Sequence, residues 1–338
     1  MTHLEKTYFD TVPVYGFLLF LLLGAVLFMT RPAVVVVTDD VFSAVYGIRR
    51  EHLKRIEMSV RLFRRVRLVR ISENAEIDAV VFAVQDAGRK LAAAVFPYRY
   101  YDAALRYAAQ NPRTPAVVMS GQNITPAGAP PAEGGGALLF IKEDEAADFY
   151  RAGLCAAFFS ARQAETFSLA AKADGEKSIL IISNEIVAVR MRDFFEQGLR
   201  SGGSKATCVF KGLNDNYPIN ELSCITLWGP ANTFLYSGTE NRVPVIIFSW
   251  IDPEFTSPNV KIIVDDSPLQ LLPAILKALG EGGVKRNLRE GNNVEVFIPS
   301  TFKVMTLRAN NSLPLVLRLN IIAKLPVSGA AYMSNKQN

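Results

Sequence analysis

The side chains able to do chemistry gather where apolar runs end. Asp39, Asp40 and Phe42 follow AVVVVT, and Tyr98, Arg99 and Tyr100 follow KLAAAVF. Ser120 closes PAVVMS, with Gln122 and Asn123 just beyond it. Asn184 and Glu185 follow KSILIIS, Trp250 and Asp252 follow VPVIIFS, and Asp265 and Asp266 follow VKIIV. Carboxylates accept hydrogen bonds from hydroxyls and amines, and Tyr, Phe and Trp present flat faces to a sugar or a base. Asn and Gln both donate and accept. This is the chemistry of holding a small polar solute. The candidate ligand-binding set is Asp39, Asp40, Phe42, Tyr98, Ser120, Gln122, Asn184, Glu185, Trp250, Asp252 and Asp266. Asp39 or Asp40, Asn184 and Asp266 also stand where helices need caps, and for any single one capping is the commoner role. The argument for a site is the convergence of several loops.

Chemistry that would transform a ligand is scarce. The only histidines are His3 and His52, so a His-based triad or multi-His metal site has no material. There is no G-x-x-x-x-G-K-[ST], no G-x-G-x-x-G after a strand and no G-x-S-x-G elbow. Gly134, Gly135 and Gly136 read as a flexible loop, and Gly202 and Gly203 as a helix stop. The pairs Asp39-Asp40 and Asp265-Asp266 are adjacent in sequence, and neighbouring strand-end side chains point apart. The expectation is a binding protein with no catalytic residue, no metal and no cofactor. Cys155, Cys208 and Cys224 are odd in number and widely spaced, which implies no disulfide framework and no zinc site. Cys208 and Cys224 could pair in an oxidising compartment; three small buried hydrophobes is the plainer reading. Net charge is +5, from 37 Lys+Arg against 32 Asp+Glu, which is not the balance of a nucleic-acid binder.

The runs that end in these residues are continuous and β-branched, as strands buried on both faces require. Strands are expected at 33–38, 66–71, 90–96, 115–120, 137–141, 177–183, 207–211, 233–237, 243–249 and 260–264. Helices are expected at 101–110, 144–162, 185–200 and 268–279. A further helix lies between the first two strands, with Leu53, Ile56, Val60 and Phe63 as its apolar stripe and Arg49, Arg50, Lys54, Arg61 and Arg64 largely off it. Beyond it, 294–298 and 315–323 have strand character and no clear helix. Alternating strands and helices predict an α/β fold with open, mostly parallel sheets.

Residues 14–29, VYGFLLFLLLGAVLFM, carry no charge and stop at Arg31-Pro32. About 20 apolar residues span a bilayer core, and this run is at the short end. A cleaved signal peptide would be followed by a small-x-small site, and none is present. A single N-terminal membrane anchor is therefore expected. Flanking charges do not set its orientation: Lys6 precedes it with Glu5 and Asp10, while Arg31, Arg49 and Arg50 follow. The densest charge cluster, Arg49 to Arg70, could meet anionic lipid or an acidic partner; a solvated helix face is the plainer reading.

Several stretches resemble the type I periplasmic binding proteins, in the basic-membrane-lipoprotein and ABC-transporter substrate-binding branch. AVVVVTDDVFSAVYG is similar to their first strand and ligand loop, and DFYRAGLCAAFFS to the helix that enters the second lobe. Residues 177–202 and 260–282 are similar to two later strand-helix units, the second crossing back to the first lobe. The resemblance implies two lobes, a hinge of crossover segments, a ligand clamped between the lobes and a permease partner. It implies a first lobe of 33–143 plus 259–283 and a second of 144–258 plus 292–328, between tails at 1–13 and 329–338. It also implies an extracytoplasmic domain, held here by the 14–30 anchor in place of a lipid-bearing cysteine. No paired aromatic clamp of the nucleoside-binding branch is found in the sequence.

Overall fold

The computed structural model describes residues 3–40, 48–88, 90–120, 136–167, 178–183, 185–211, 222–228, 243–248, 260–265 and 267–304. Helix α1 (His3–Thr30) runs unbroken through Pro13 and ends on a hydrogen bond from the Arg31 N–H to the Leu27 carbonyl. The first lobe then alternates β1 (Ala33–Thr38), α2 (Ile48–Arg61), β2 (Val66–Arg70), α3 (Ile77–Asp86), β3 (Leu91–Pro97), α4 (Tyr101–Gln110), β4 (Ala116–Ser120) and β5 (Leu138–Glu143). The second lobe follows with α5 (Glu145–Phe167), β6 (Ser178–Ser183), α6 (Glu185–Ser201), β7 (Cys208–Lys211), β8 (Leu222–Trp228), β9 (Val245–Phe248) and β10 (Val260–Asp265). The described chain closes with α7 (Pro268–Gly280), α8 (Gly282–Arg289), β11 (Val294–Ile298) and β12 (Thr301–Val304).

Each lobe is built on a six-stranded sheet. The first has the order β11-β5-β4-β3-β1-β2, the second β12-β10-β9-β8-β6-β7. All pairings are parallel except β10 with β12. Strand β1 shows why a β-branched run suits such a sheet. Val34 and Val36 enter the core beneath α2 and α7, while Val35 and Val37 enter the core beneath α3 and α4. The alternation is the period of two of an extended chain. All four are essentially inaccessible to water, each contributing on the order of 1.5–3 kcal/mol by burial.

In the second lobe α5 and α6 approach until their backbones touch. A Cβ at Gly153 would collide with the Phe195 carbonyl, and one at Gly198 with the Tyr150 carbonyl. Glycine at these two positions sets the distance between the helices. Phe149, Phe195 and Leu199 fill the interface and pack towards Ile246, Ile262 and Val264 of the sheet.

Several expectations are corrected. The lobe boundaries differ for two strands: β10 belongs to the second sheet and β11 to the first, so the 259–283 segment is split between the lobes. After β10 the chain crosses, and α7 places Leu269, Leu271, Leu272 and Ile275 in the first-lobe core. The stripe expected to bury α2 faces outward instead: Leu53, Ile56 and Val60 are 61, 53 and 72% exposed, while Met58 and Glu51 are buried. Cys208 is a free thiol, and it flanks Ile179 on one side of β6 as Cys224 does on the other. Two strand spacings separate them by about 9–10 Å, beyond the reach of a disulfide. The strand expectations at 233–237 and 315–323 lie outside the described residues.

Candidate functional site

The chain passes between the sheets three times, at Asp144, between Asp265 and Pro268, and at Pro299-Ser300. Each crossing leaves the carboxyl end of a parallel-paired strand, β5, β10 or β11. The carboxyl ends of both sheets therefore adjoin the crossings. Ligands of open α/β sheets sit at that end.

Buried polar groups hold the crossings. The first and third lie side by side, with the Asp144 N–H donating to the Ile298 carbonyl at 3.1 Å. Asp144 Oδ1 also accepts the Ala147 N–H at 3.1 Å, which caps α5. One turn later both carboxylate oxygens of Asp148 accept the Ser300 N–H, at 3.0 and 3.2 Å. Arg151 donates to the Ser300 carbonyl at 2.7 Å and lies 3.5 Å from Asp148. Burial pushes Asp148 up to about 7, against the pull of Ser300 and Arg151. The second crossing is tied to the first lobe by Lys54 of α2. Its Nζ is 2.6 Å from Asp265 Oδ2 and donates to Ser267 Oγ at 2.8 Å. Asp265 Oδ1 in turn accepts the Ser267 hydroxyl at 2.7 Å.

Of the expected ligand residues, the structure brings Asp39, Asp40 and Tyr98 to the carboxyl end of the first sheet. Asp39 is buried, and its Oδ2 accepts the Tyr100 hydroxyl at 3.1 Å with Arg99 Nη1 at 3.7 Å. Burial, then the Asp39 charge, pushes Tyr100 up to about 12, so it stays a neutral donor. Arg99 Nη2 donates to the Glu73 carbonyl at 3.0 Å. Asp40 makes an exposed pair with Arg70, at 2.5 and 3.0 Å. The Tyr98 ring stacks on Tyr101, centroids 5.9 Å apart. The Tyr101 hydroxyl is buried without a hydrogen-bond partner among the described residues.

Ser120 ends β4 and Glu185 opens α6, so both stand at the expected strand ends; their side chains lie outside the described set. Phe42, Gln122, Asn184, Trp250, Asp252 and Asp266 lie outside the described residues. The sequence reading passed over Glu73, Arg70 and Tyr101. Arg70 is the last residue of β2 and Glu73 lies just beyond it, and that strand-end position could have flagged them.

Two doubly wound lobes joined by three crossings at their carboxyl ends decide the architecture. The fold is that of a type I periplasmic binding protein. No family model matches the chain, and no curated protein matches it. Solved structures of similar shape include an ABC transporter solute-binding protein from Conexibacter woesei, at TM-score 0.49 and 11% identity, covering 86% of this chain and 94% of that one. A transcriptional activator of the comK gene from Bacillus halodurans gives TM-score 0.49 and 9% identity, covering 87% and 96%. A periplasmic solute-binding protein from Actinobacillus succinogenes with bound D-allose gives 0.42 and 11%, covering 81% and 98%. Likenesses this loose join transporters with regulators and say nothing about ligand.

Proposed function

We propose that this chain is a membrane-anchored, extracytoplasmic solute receptor that clamps a small polar ligand of the nucleoside, sugar or amino-acid class between its lobes. The observation that carries the reading is the latched hinge: three crossings meet at the strand ends that also bear Asp39, Arg99, Tyr98 and Tyr100. An ABC permease is the partner this reading implies, and it involves no catalytic step. Thermal unfolding against a panel of nucleosides, sugars and amino acids tests it. A rise in midpoint with one class supports it; no rise with any class overturns it.

The anchor is part of the proposal. Among the described residues no helix is long and apolar enough to cross a membrane. In α1 the described side chains cover residues 14–30 alone. Their support for an anchor is exposure on every side: Phe17 to Leu23 are each 49–72% exposed. An apolar helix bare all round needs a lipid or protein cover. The extracytoplasmic placement rests on the resemblance, and the cations beyond α1 weigh against it. An alkaline-phosphatase fusion after Ala33 that stays inactive would refute it.

A second reading is a degenerate binding fold used as an envelope interaction module. It is favoured by Asp39, whose carboxylate is engaged inside the lobe, and by the outward apolar stripe of α2. Crosslinking in cells that captures one fixed protein, unaffected by added solutes, would select it.

A further inference from the structure

The amino ends of β1, β2 and β3, opposite the crossings, surround a cavity of about 360 Å³ lined by Met29, Thr30, Arg31, Arg65, Arg67 and Lys90. Among the described residues its lining has four cations and no carboxylate. Arg65 Nε is buried without a hydrogen-bond partner among the described residues. Arg67 donates to the Ala87 carbonyl, and neighbouring Arg64 donates to the Pro32 carbonyl at 3.3 Å, so main-chain oxygens rather than acids hold these two.

The cavity sits where the apolar run ends, and the joint there is fixed. The Phe63 ring lies 5.7 Å from the Phe28 ring and 5.3 Å beneath the Arg31 guanidinium. Phe63 has φ 47°, a left-handed backbone that bulky residues rarely adopt. At that bend its ring packs against α1. The lobe thus holds its cations in register with the end of α1.

We infer that this cavity binds the phosphate headgroup of an acidic phospholipid. The inference rests on the anchored reading: if α1 spans the bilayer, its last turn lies at headgroup depth, and so do these cations. Arg65 and Lys90 supply charge to the phosphate, Arg31 closes over it, and Met29 and Phe28 offer apolar surface to the acyl chains. A free anion would meet the same cations without the apolar neighbours.

The test uses the full chain in bilayer discs of phosphatidylcholine, with or without phosphatidylglycerol, and native mass spectrometry to read the lipids retained. Phosphatidylglycerol should be retained in preference. Each cation near an acidic surface is worth about fivefold, so the Arg65→Gln, Lys90→Gln double variant should lose about thirtyfold. Arg65→Lys, which keeps the charge, should retain the preference. Equal retention of both lipids, or an undiminished preference in the double variant, overturns the inference. Inorganic phosphate that competes fully with the lipid also overturns it, by assigning the cavity to a free anion. A chain removed from vesicles by alkaline carbonate would refute the anchor; one that stays but shows no lipid preference refutes only the headgroup site.

Discussion

Asp39, at the carboxyl end of β1, has Tyr100 and Arg99 against it; Arg65, at the amino end of β2, has a buried Nε with nothing to meet it among the described residues. The two ends of one small sheet thus handle charge in opposite ways. At the carboxyl end acids and bases occur together, Asp39 with Arg99 and Asp40 with Arg70, as do Asp265 and Lys54 at the neighbouring crossing. At the foot Arg31, Arg65, Arg67 and Lys90 gather without an acid among the described residues. A charge matched inside the lobe is part of the fold's own stability. An unmatched cluster repels itself, and an anion from outside would relieve it. Polar residues at a strand end are therefore weak pointers to a ligand until their internal partners are known.

The contrast can be broken by removing charges one at a time. Asp265→Ala should have the largest effect. It removes the carboxylate 2.6 Å from Lys54, which is only 12% exposed, and losing one partner of such a buried pair costs about 3–5 kcal/mol. Denaturant unfolding reads it; a loss under about 1 kcal/mol would show that the pair does not hold the crossing.

The next effect is a pH dependence. Asp148 is raised from 3.8 to about 7 in the folded chain, so between those values the folded state holds a proton that the unfolded state has released. Stability from this group is therefore greatest below pH 3.8 and falls as pH rises to about 7. Asp148→Asn should flatten the stability profile over that window. A profile unchanged by the substitution would place the titration elsewhere.

Asp39→Ala leaves the buried Tyr100 hydroxyl unmatched and should cost about 1–3 kcal/mol. The same measurement on Arg65→Gln should show a change within about 0.5 kcal/mol, or a gain, since a self-repelling charge is removed. If Arg65→Gln destabilises as much as Asp39→Ala, the two ends of the lobe do not differ as described.

Much of the fold was legible because parallel strands leave a plain mark. AVVVVT and VKIIV are uninterrupted because both faces of each strand are covered, and the structure has strands there. Strand β8, LSCITLW, was passed over because Ser223, Cys224 and Thr226 interrupt the run, and Thr226 is nonetheless fully buried. Helices α3 and α8 were missed too. IDAVVFAVQD is apolar enough to read as either element, and GGVKRNLR begins with two helix-breaking glycines. The stripe of α2 misled because its period is truly helical; sequence gives the period of a stripe but not which face meets the core. The crossings were the least legible part. Lys54 meets Asp265 and Ser267 across more than two hundred residues, Asp148 meets Ser300 across 152, and no local pattern announces either. For the candidate site, strand-end position was readable, and internal pairing was not.

Strand β11 has a consequence for how the protein is made. The amide of Leu138 bonds to the side chain of Asn293, 155 positions further along the chain. At 5–20 residues per second, the ribosome needs about ten to thirty seconds to supply that strand. Until then β5 is an open sheet edge of apolar residues, LLFIKE. The nascent first lobe must wait for β6 to β10 of the second lobe to be synthesised before its edge is covered, and an uncovered edge is where strands of other chains pair.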